Sequence, residues 1–272
     1  MEKVIHDFYS DLFDIHVHLP PCHLPQDGYV VPSVLPSEIR HAISSVEKHR
    51  IRAEHLKDLP PTLANTLARL FTRYLSECKV PSQWKTSKTV LLYKKGDVHD
   101  IGNYRPICQM SVVYKLFIRV ILNRFIRTMD EGQPCEQAGF RRRFSTVDHI
   151  HTIAKLTEVS REYKQPLCLT FIDLKKAFDS VETEAVFEAL LTQGVPTQYI
   201  RVLRELYSGF TSKITPFYND VVIDVKRGPR LRKRHARLEW EDMGVKADGR
   251  QLHHLRFTDD IVLITPSSGQ AE

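Results

Sequence analysis

Residues 167–173, LCLTFID, constrain the fold more than any other stretch of this chain. Six apolar or uncharged side chains follow one another and end in an acid, Asp173. A near-continuous apolar run of this length predicts a strand buried on both faces. An acid at its end is poorly placed for a surface loop, because burying a lone carboxylate costs several kcal/mol unless a cation or donors compensate. A second stretch, HHLRFTDDIVLIT over 253–265, predicts a hairpin with strands at 252–257 and 261–265 and two adjacent acids, Asp259 and Asp260, at its tip. Taken alone, that pair has two readings. Aspartate suits turns, since its side chain bonds its own backbone two residues on. Two carboxylates held close together also repel unless a cation lies between them, which makes such a pair a metal seat.

The rest of the chain predicts helices and strands without strict alternation, hence an α+β fold. Five prolines between Pro20 and Pro36 predict an extended connector. Ser37 opens a helix with Ile39, Ala42, Ile43 and Val46 on one face, and Pro60-Pro61 opens another with a stripe of Leu63, Leu67, Leu70, Phe71 and Tyr74. Thr89 to Tyr93 is β-prone and ends in the turn Lys94-Lys95-Gly96-Asp97; VHDIGNYRPI then reads as a loop. Residues 111–129 predict a helix with Val113, Phe117, Val120, Ile121 and Phe125 inward, and 146–163 another with Val147, Ile150, Ile153 and Ala154 inward. Helices over 181–193 and 197–208 and a strand at 221–225 follow.

If strand 167–173 lies beside the hairpin, Asp173 meets Asp259 and Asp260 at one end of a sheet. Three carboxylates there suit two divalent ions roughly 3.5–4 Å apart, which activate an attacking oxygen and stabilise a leaving one in phosphoryl transfer. Mg²⁺ fits hard oxygen ligands. Net charge over the 272 residues is +6, a modest lean toward polyanionic partners. Seven Lys or Arg fall within 226–237, KRGPRLRKRHAR, which reads either as a solvated loop or as a phosphate-binding or nuclear-import patch. Five scattered cysteines without a CxxC pair argue for reduced thiols in the cytosol or nucleus. No apolar stretch approaches a membrane span, and MEKVIHDFYSDLF has no uninterrupted apolar segment of a secretory signal.

FIDLKKAFDSV (171–181) and FTDDIVL (257–263) resemble the two acidic motifs of reverse transcriptases, in particular those of LINE-type (non-LTR) retrotransposons of the RTE-like clade. WKTSKTVLLYKKGD, IGNYRPI, YKLFIRVILNRF, EQAGFRRRFSTVDHI and GVPTQYIRVLRELY fit the same family in its order. The resemblance implies an RNA-directed DNA polymerase of right-hand architecture: an N-terminal extension over 1–80, fingers over 81–165 and a partial palm over 166–272. Its implied partners are an RNA template, a DNA primer and deoxynucleoside triphosphates, with Mg²⁺ and no membrane. Asp173 and Asp259 match the metal-binding acids and Asp260 completes the motif; all three are the implied catalytic residues. Lys94, Lys95 and Arg105 match residues that embrace the triphosphate, lysine as a point charge and arginine as a fork. Phe178 matches the gate that screens the sugar 2′ position, Gln137 to Arg143 resembles a template-contacting segment, and Asp179 reads as a helix cap.

Four departures accompany the match. Thr258 stands where the family has alanine, a small change expected to be tolerated. The Gly-rich motif expected between IDVKRG and RLEWEDMGV is reduced to PRLRKRHA, 229–236, and SSVEKHRIRAEHL joins where an Ala-Pro-Gly-Pro-Asp segment is expected. The sequence also stops at Glu272, before the expected thumb, and lacks the preceding endonuclease domain. These departures imply a fragment that keeps the metal acids but has impaired activity and weaker nucleic-acid binding. Two readings compete. One is a non-catalytic RNA-binding remnant. The other takes Asp14, His16 and His18 in FDIHVHLPPCH as the first metal strand of an amidohydrolase barrel, with the two histidines on one face.

Overall fold

The computed structural model describes residues 2–14, 19–47, 59–133, 136–139, 144–173, 181–216, 219–226, 244–247 and 250–266. Seven α-helices and nine strands are formed among them: α1 Glu2–Phe13, α2 Pro36–Glu47, α3 Pro61–Glu77, β1 Thr86–Tyr93, β2 Tyr104–Gln109, α4 Val112–Gly132, α5 Thr146–Glu162, β3 Cys168–Asp173, α6 Thr183–Thr192, α7 Thr197–Tyr207, β4 Phe210–Ile214, β5 Val221–Val225, β6 Val245–Ala247, β7 Arg250–Leu252, β8 His254–Phe257 and β9 Asp260–Thr265. No described helix is long and apolar enough to cross a membrane. The chain divides into two compact units, both discontinuous: residues 1–129 with 179–229, and residues 130–178 with 230–272.

The first unit has two cores. Helices α2, α3, α4, α6 and α7 bury Ile39, Phe71, Leu75, Phe117, Ile121, Ile200 and Leu206. Aromatic rings fill its centre: Phe71 and Tyr74 meet Phe117 edge-on, and Trp84 packs on both Tyr74 and Phe117. Pro61 starts α3 at little cost, because the first helical N–H has no partner to lose. Its buried stripe is Ala64, Ala68, Phe71 and Leu75, and Leu63 is exposed. The expected leucine stripe is therefore rotated: the small side chains of Ala64 and Ala68 take the buried face with Phe71 and Leu75. Likewise Leu116 is buried in α4, while Val113 is exposed.

The second core lies under a four-stranded sheet of order β2-β1-β4-β5, in which β1 and β4 run parallel and the other pairs antiparallel. Ile5, Tyr9 and Phe13 repeat every four residues along α1, so one helix face packs on Ile214, Val221 and Ile223. The VHDIGNYRPI segment is no simple loop. Its second half forms β2, with Arg105 opposite Leu92.

In the second unit α5 lies against a sheet of order β3-β9-β8, with Leu156, Leu255 and Ile264 at the contact. A capping box starts the helix: the Ser145 hydroxyl accepts from the Val147 amide, and the Asp148 carboxylate accepts from the Ser145 amide at 2.7 Å. The inward face is Ile153 and Leu156. Val147 and Ile150 are 67% and 64% exposed, contrary to the sequence expectation. Strand β3 also departs from it. Among the described strands it lies at the sheet edge, and its Phe171 is 70% exposed, so it is not buried on both faces.

Candidate active site

The hairpin β8–β9 is closed by two residues, Thr258 and Asp259, because Phe257 pairs with Asp260. Strand β9 pairs antiparallel with β3 so that Asp173 stands directly opposite Asp260. Directly opposed residues point to the same face and sit roughly 4.5–5.5 Å apart between Cβ atoms. Two acids are thus held across one strand pair, and Asp259 precedes one of them at the turn. The inference that the 167–173 run and the hairpin are neighbours holds, although among the described strands β3 lies at the sheet edge.

Thr258 has φ +59°, in the left-handed region. Two-residue hairpins need such a residue, and glycine usually supplies it. A β-branched side chain is strained there. The expectation that Thr258 replaces alanine at small cost considered size alone; the backbone at this position makes the choice of residue matter. The Thr258 hydroxyl lies 2.6 Å from the Phe257 carbonyl and 2.8 Å from Asp259 Oδ1. With one hydrogen, it donates to one of them at a time.

A segment far away in sequence braces this turn. Gln137 bridges to Arg256: the Ala138 amide donates to the Arg256 carbonyl at 2.9 Å, and the Arg256 amide donates to the Glu136 carbonyl at 2.8 Å. The Gln137 side-chain oxygen accepts from the Gly139 amide at 3.1 Å and the Thr258 amide at 3.2 Å. A Cβ on Gly139 would collide with the Thr258 amide nitrogen and come within 2.6 Å of its Cγ2. Glycine is what lets the two backbones meet. His149 Nε2 lies 3.0 Å from the Arg256 carbonyl, tying α5 to the same strand. Burial holds the neighbouring His254 imidazole below its usual range, helped by the cationic Arg256. Sequence reading singled out Gln137 and Gly139 only within a template-contacting motif; the glycine beside an amide side chain was the one local signal of a close approach.

The donor set at this sheet end is all carboxylate oxygen, the chemistry that Mg²⁺ prefers. Its side chains are not gathered: among the described residues, no three His, Cys, Asp or Glu side chains stand close enough to share an ion. Backbone register brings Asp173 and Asp260 together, while Asp259 Oδ1 is engaged by Thr258.

The other candidate residues belong to other parts of the chain. Lys94, Lys95 and Arg105 are exposed residues of the β1–β2 hairpin, in the first compact unit. The Lys94 amide donates to the Asn103 carbonyl at 3.0 Å, and the Tyr93 hydroxyl donates to the Gly96 carbonyl at 2.5 Å. These bonds fix the turn that carries both lysines. Phe178, Asp179, Arg142, Arg143, the joined segment at 48–58 and all of the basic run except Lys226 lie outside the described residues. So do His16 and His18. Asp14 follows the helix α1 and does not lie on a strand, and its carboxylate meets Lys226 Nζ at 3.3 Å. The described sheets are largely antiparallel. Neither feature fits the parallel barrel that the amidohydrolase reading needs.

Comparison with known proteins bears on the same residues. The family described as "Reverse transcriptase (RNA-dependent DNA polymerase)" matches residues 92–272. The chain is 32% identical over 152 residues to the "Probable RNA-directed DNA polymerase from transposon BS" of Drosophila melanogaster, a match covering 55% of this chain and 17% of that protein. It is 25% identical over 211 residues to the "RNA-directed DNA polymerase from mobile element jockey" of the same species, covering 71% of this chain and 23% of that protein. A third relative, the "Retrovirus-related Pol polyprotein from type-1 retrotransposable element R2" of Popillia japonica, is 26% identical over 150 residues, or 55% of this chain and 19% of that protein. The matched region therefore spans less than a quarter of the length of each of these relatives. Their names accord with the LINE-type part of the sequence resemblance and do not single out the RTE-like clade.

Proposed function

The chain belongs to the reverse transcriptase family, and on that premise we propose that it carries the nucleotidyl-transfer site of an RNA-directed DNA polymerase. The observation that carries the reading is the register of β3 and β9, which sets Asp173 against Asp260 with Asp259 at the adjoining turn. In this reading an RNA template, a DNA primer and a deoxynucleoside triphosphate are the substrates. The primer 3′-oxygen attacks the α-phosphorus, and pyrophosphate leaves.

Asp173, Asp259 and Asp260 are the residues that would hold Mg²⁺, whose bound form supplies positive charge to the attacking and leaving oxygens. Asp173 and Asp260 are held in place by strand pairing, so little ordering is required of them when they bind. Asp259 must give up its bond from Thr258 to offer both oxygens. Lys94, Lys95 and Arg105 are the residues that would supply positive charge to the triphosphate, on a hairpin whose turn is fixed by its own hydrogen bonds, and Phe178 would screen the sugar. Residues 81–165 act as fingers and 166–272 as palm. The shortened interval 229–236 limits turnover, because the family's Gly-rich segment there is missing.

Primer extension on an RNA template with Mg²⁺ tests the reading, comparing the chain with its Asp259→Ala variant. The expected result is slow extension by the parent chain that falls at least about a hundredfold in the variant, the loss typical of removing one charge-stabilising group. Equal extension by both would refute the assignment. One observation favours a second reading, an RNA-binding remnant without catalysis: the three carboxylates are not gathered around a common point. RNA retention with no extension by either protein is its signature.

A further inference from the structure

The turn that carries Asp259 is held in a conformation its own sequence disfavours. Of its two residues, Thr258 takes the left-handed region and Asp259 does not. A threonine in that region persists only where its surroundings over-determine the backbone. Local bonds do not accomplish this, since among the described residues the Thr258 hydroxyl reaches only its neighbours Phe257 and Asp259. The restraint comes from residues more than a hundred positions earlier in the chain. Backbone bonds on either side of Gln137 lock it to Arg256, two residues before the turn. From that fixed base its side-chain oxygen takes the Thr258 amide, and the missing side chain of Gly139 lets the strand approach. The same oxygen takes the Gly139 amide, which fixes the carboxamide's orientation.

We infer that Gln137 is a positioning residue: its side-chain oxygen holds the Thr258 amide, fixes the left-handed turn and so presents Asp259. The link to metal binding rests on the polymerase reading above; the clamp on the turn does not. The role needs an acceptor at this position and nothing else. Glutamate therefore substitutes for glutamine, and leucine, of similar size, does not.

Amide exchange in the ¹⁵N-labelled full chain tests the clamp directly. Gln137→Leu should speed exchange of the Thr258 amide roughly tenfold, the loss of one hydrogen bond whose acceptor has no substitute, while Gln137→Glu stays near the parent rate. Exchange at Leu263 and Ile264 in β9 should not change, which separates a loosened turn from a damaged sheet. Titration with Mn²⁺ followed by electron paramagnetic resonance reads the consequence. Gln137→Leu should weaken binding several-fold, and adding Thr258→Gly should restore it, because glycine adopts the left-handed region without strain. An unchanged Thr258 exchange rate in Gln137→Leu overturns the inference. So does a loss of Mn²⁺ affinity that Thr258→Gly leaves in place. Mn²⁺ binding that is indifferent to Asp259→Ala sinks the polymerase reading instead, and the exchange rates still decide the role of Gln137.

Discussion

Arg124 ties the helical core to the proline-rich connector, and replacing it with methionine isolates that tie. Its Nε and one terminal nitrogen meet the two oxygens of Glu38 at 2.8 and 2.9 Å. The terminal nitrogens also donate to the carbonyls of Pro32 at 2.8 Å and Ser33 at 2.9 Å. The Arg124 side chain is 11% exposed and that of Glu38 31%. Methionine keeps the apolar stem and removes every donor. Breaking a buried ion pair from one side costs about 3–5 kcal/mol. Water reaches Glu38 and recovers part of that, so Arg124→Met should destabilise the first unit by about 3 kcal/mol. Urea unfolding in a Trp240→Phe background, read through the fluorescence of buried Trp84, measures it. A double-mutant cycle with Glu38→Gln should give a coupling of about 1–2 kcal/mol. Arg124 and the Leu35 amide hold the Glu38 carboxyl below its usual 4.5. Its folded pKa is depressed, so the stabilisation is complete above about pH 4.5 and is lost as pH falls through the folded value. A loss under about 1 kcal/mol, or a coupling of zero, would refute the argument that this cluster holds the connector down.

Two further perturbations probe the second unit. Gly139→Ala should destabilise it by about 1–3 kcal/mol, because the new methyl meets the Thr258 backbone, which cannot move aside as a flexible side chain could; unchanged urea unfolding would contradict the close approach. Burial lowers the His254 pKa from 6.5, so the folded state binds its proton less readily than the unfolded chain. Stability should rise with pH up to about 6.5 and then level off, and His254→Asn should flatten that slope; an unaltered slope would place the effect elsewhere.

Element types were largely readable from the sequence, and so were some helix faces: Ile39, Ala42 and Ile43 of α2 and Phe117, Val120, Ile121 and Phe125 of α4 are buried as their spacing implies. The acidic hairpin, the strand ending at Asp173 and the helix after Pro60-Pro61 follow from turn chemistry and local pattern. The register of Asp173 with Asp260 was reachable only by supposing the two strands adjacent, and the supposition was right. In contrast, Val147, Ile150, Ile153 and Ala154 read as one inward stripe of α5, yet of these only Ile153 packs on the sheet, beside Leu156; helical spacing allows either face, and only the sheet beneath α5 decides. Apolar content alone also could not reveal that β3 has a neighbour on one side only among the described strands. The parallel pairing of β1 with β4 joins segments about 125 residues apart, and no local signal encodes it. Gln137 escaped notice as a brace because its partner is a backbone amide, which every residue but proline has.

The interleaving of the two units bears on how this protein is made. Strand β3 finds its partner β9 only after about 90 further residues have been synthesised, and most of those residues belong to the other unit. At about 5–20 residues per second, β3 waits on the ribosome for roughly 5–20 s with its pairing edge open and Phe171 in water. Closure of so long a loop is slow as well as late. For that interval the strand that ends in Asp173 is open to pairing with a strand from another chain.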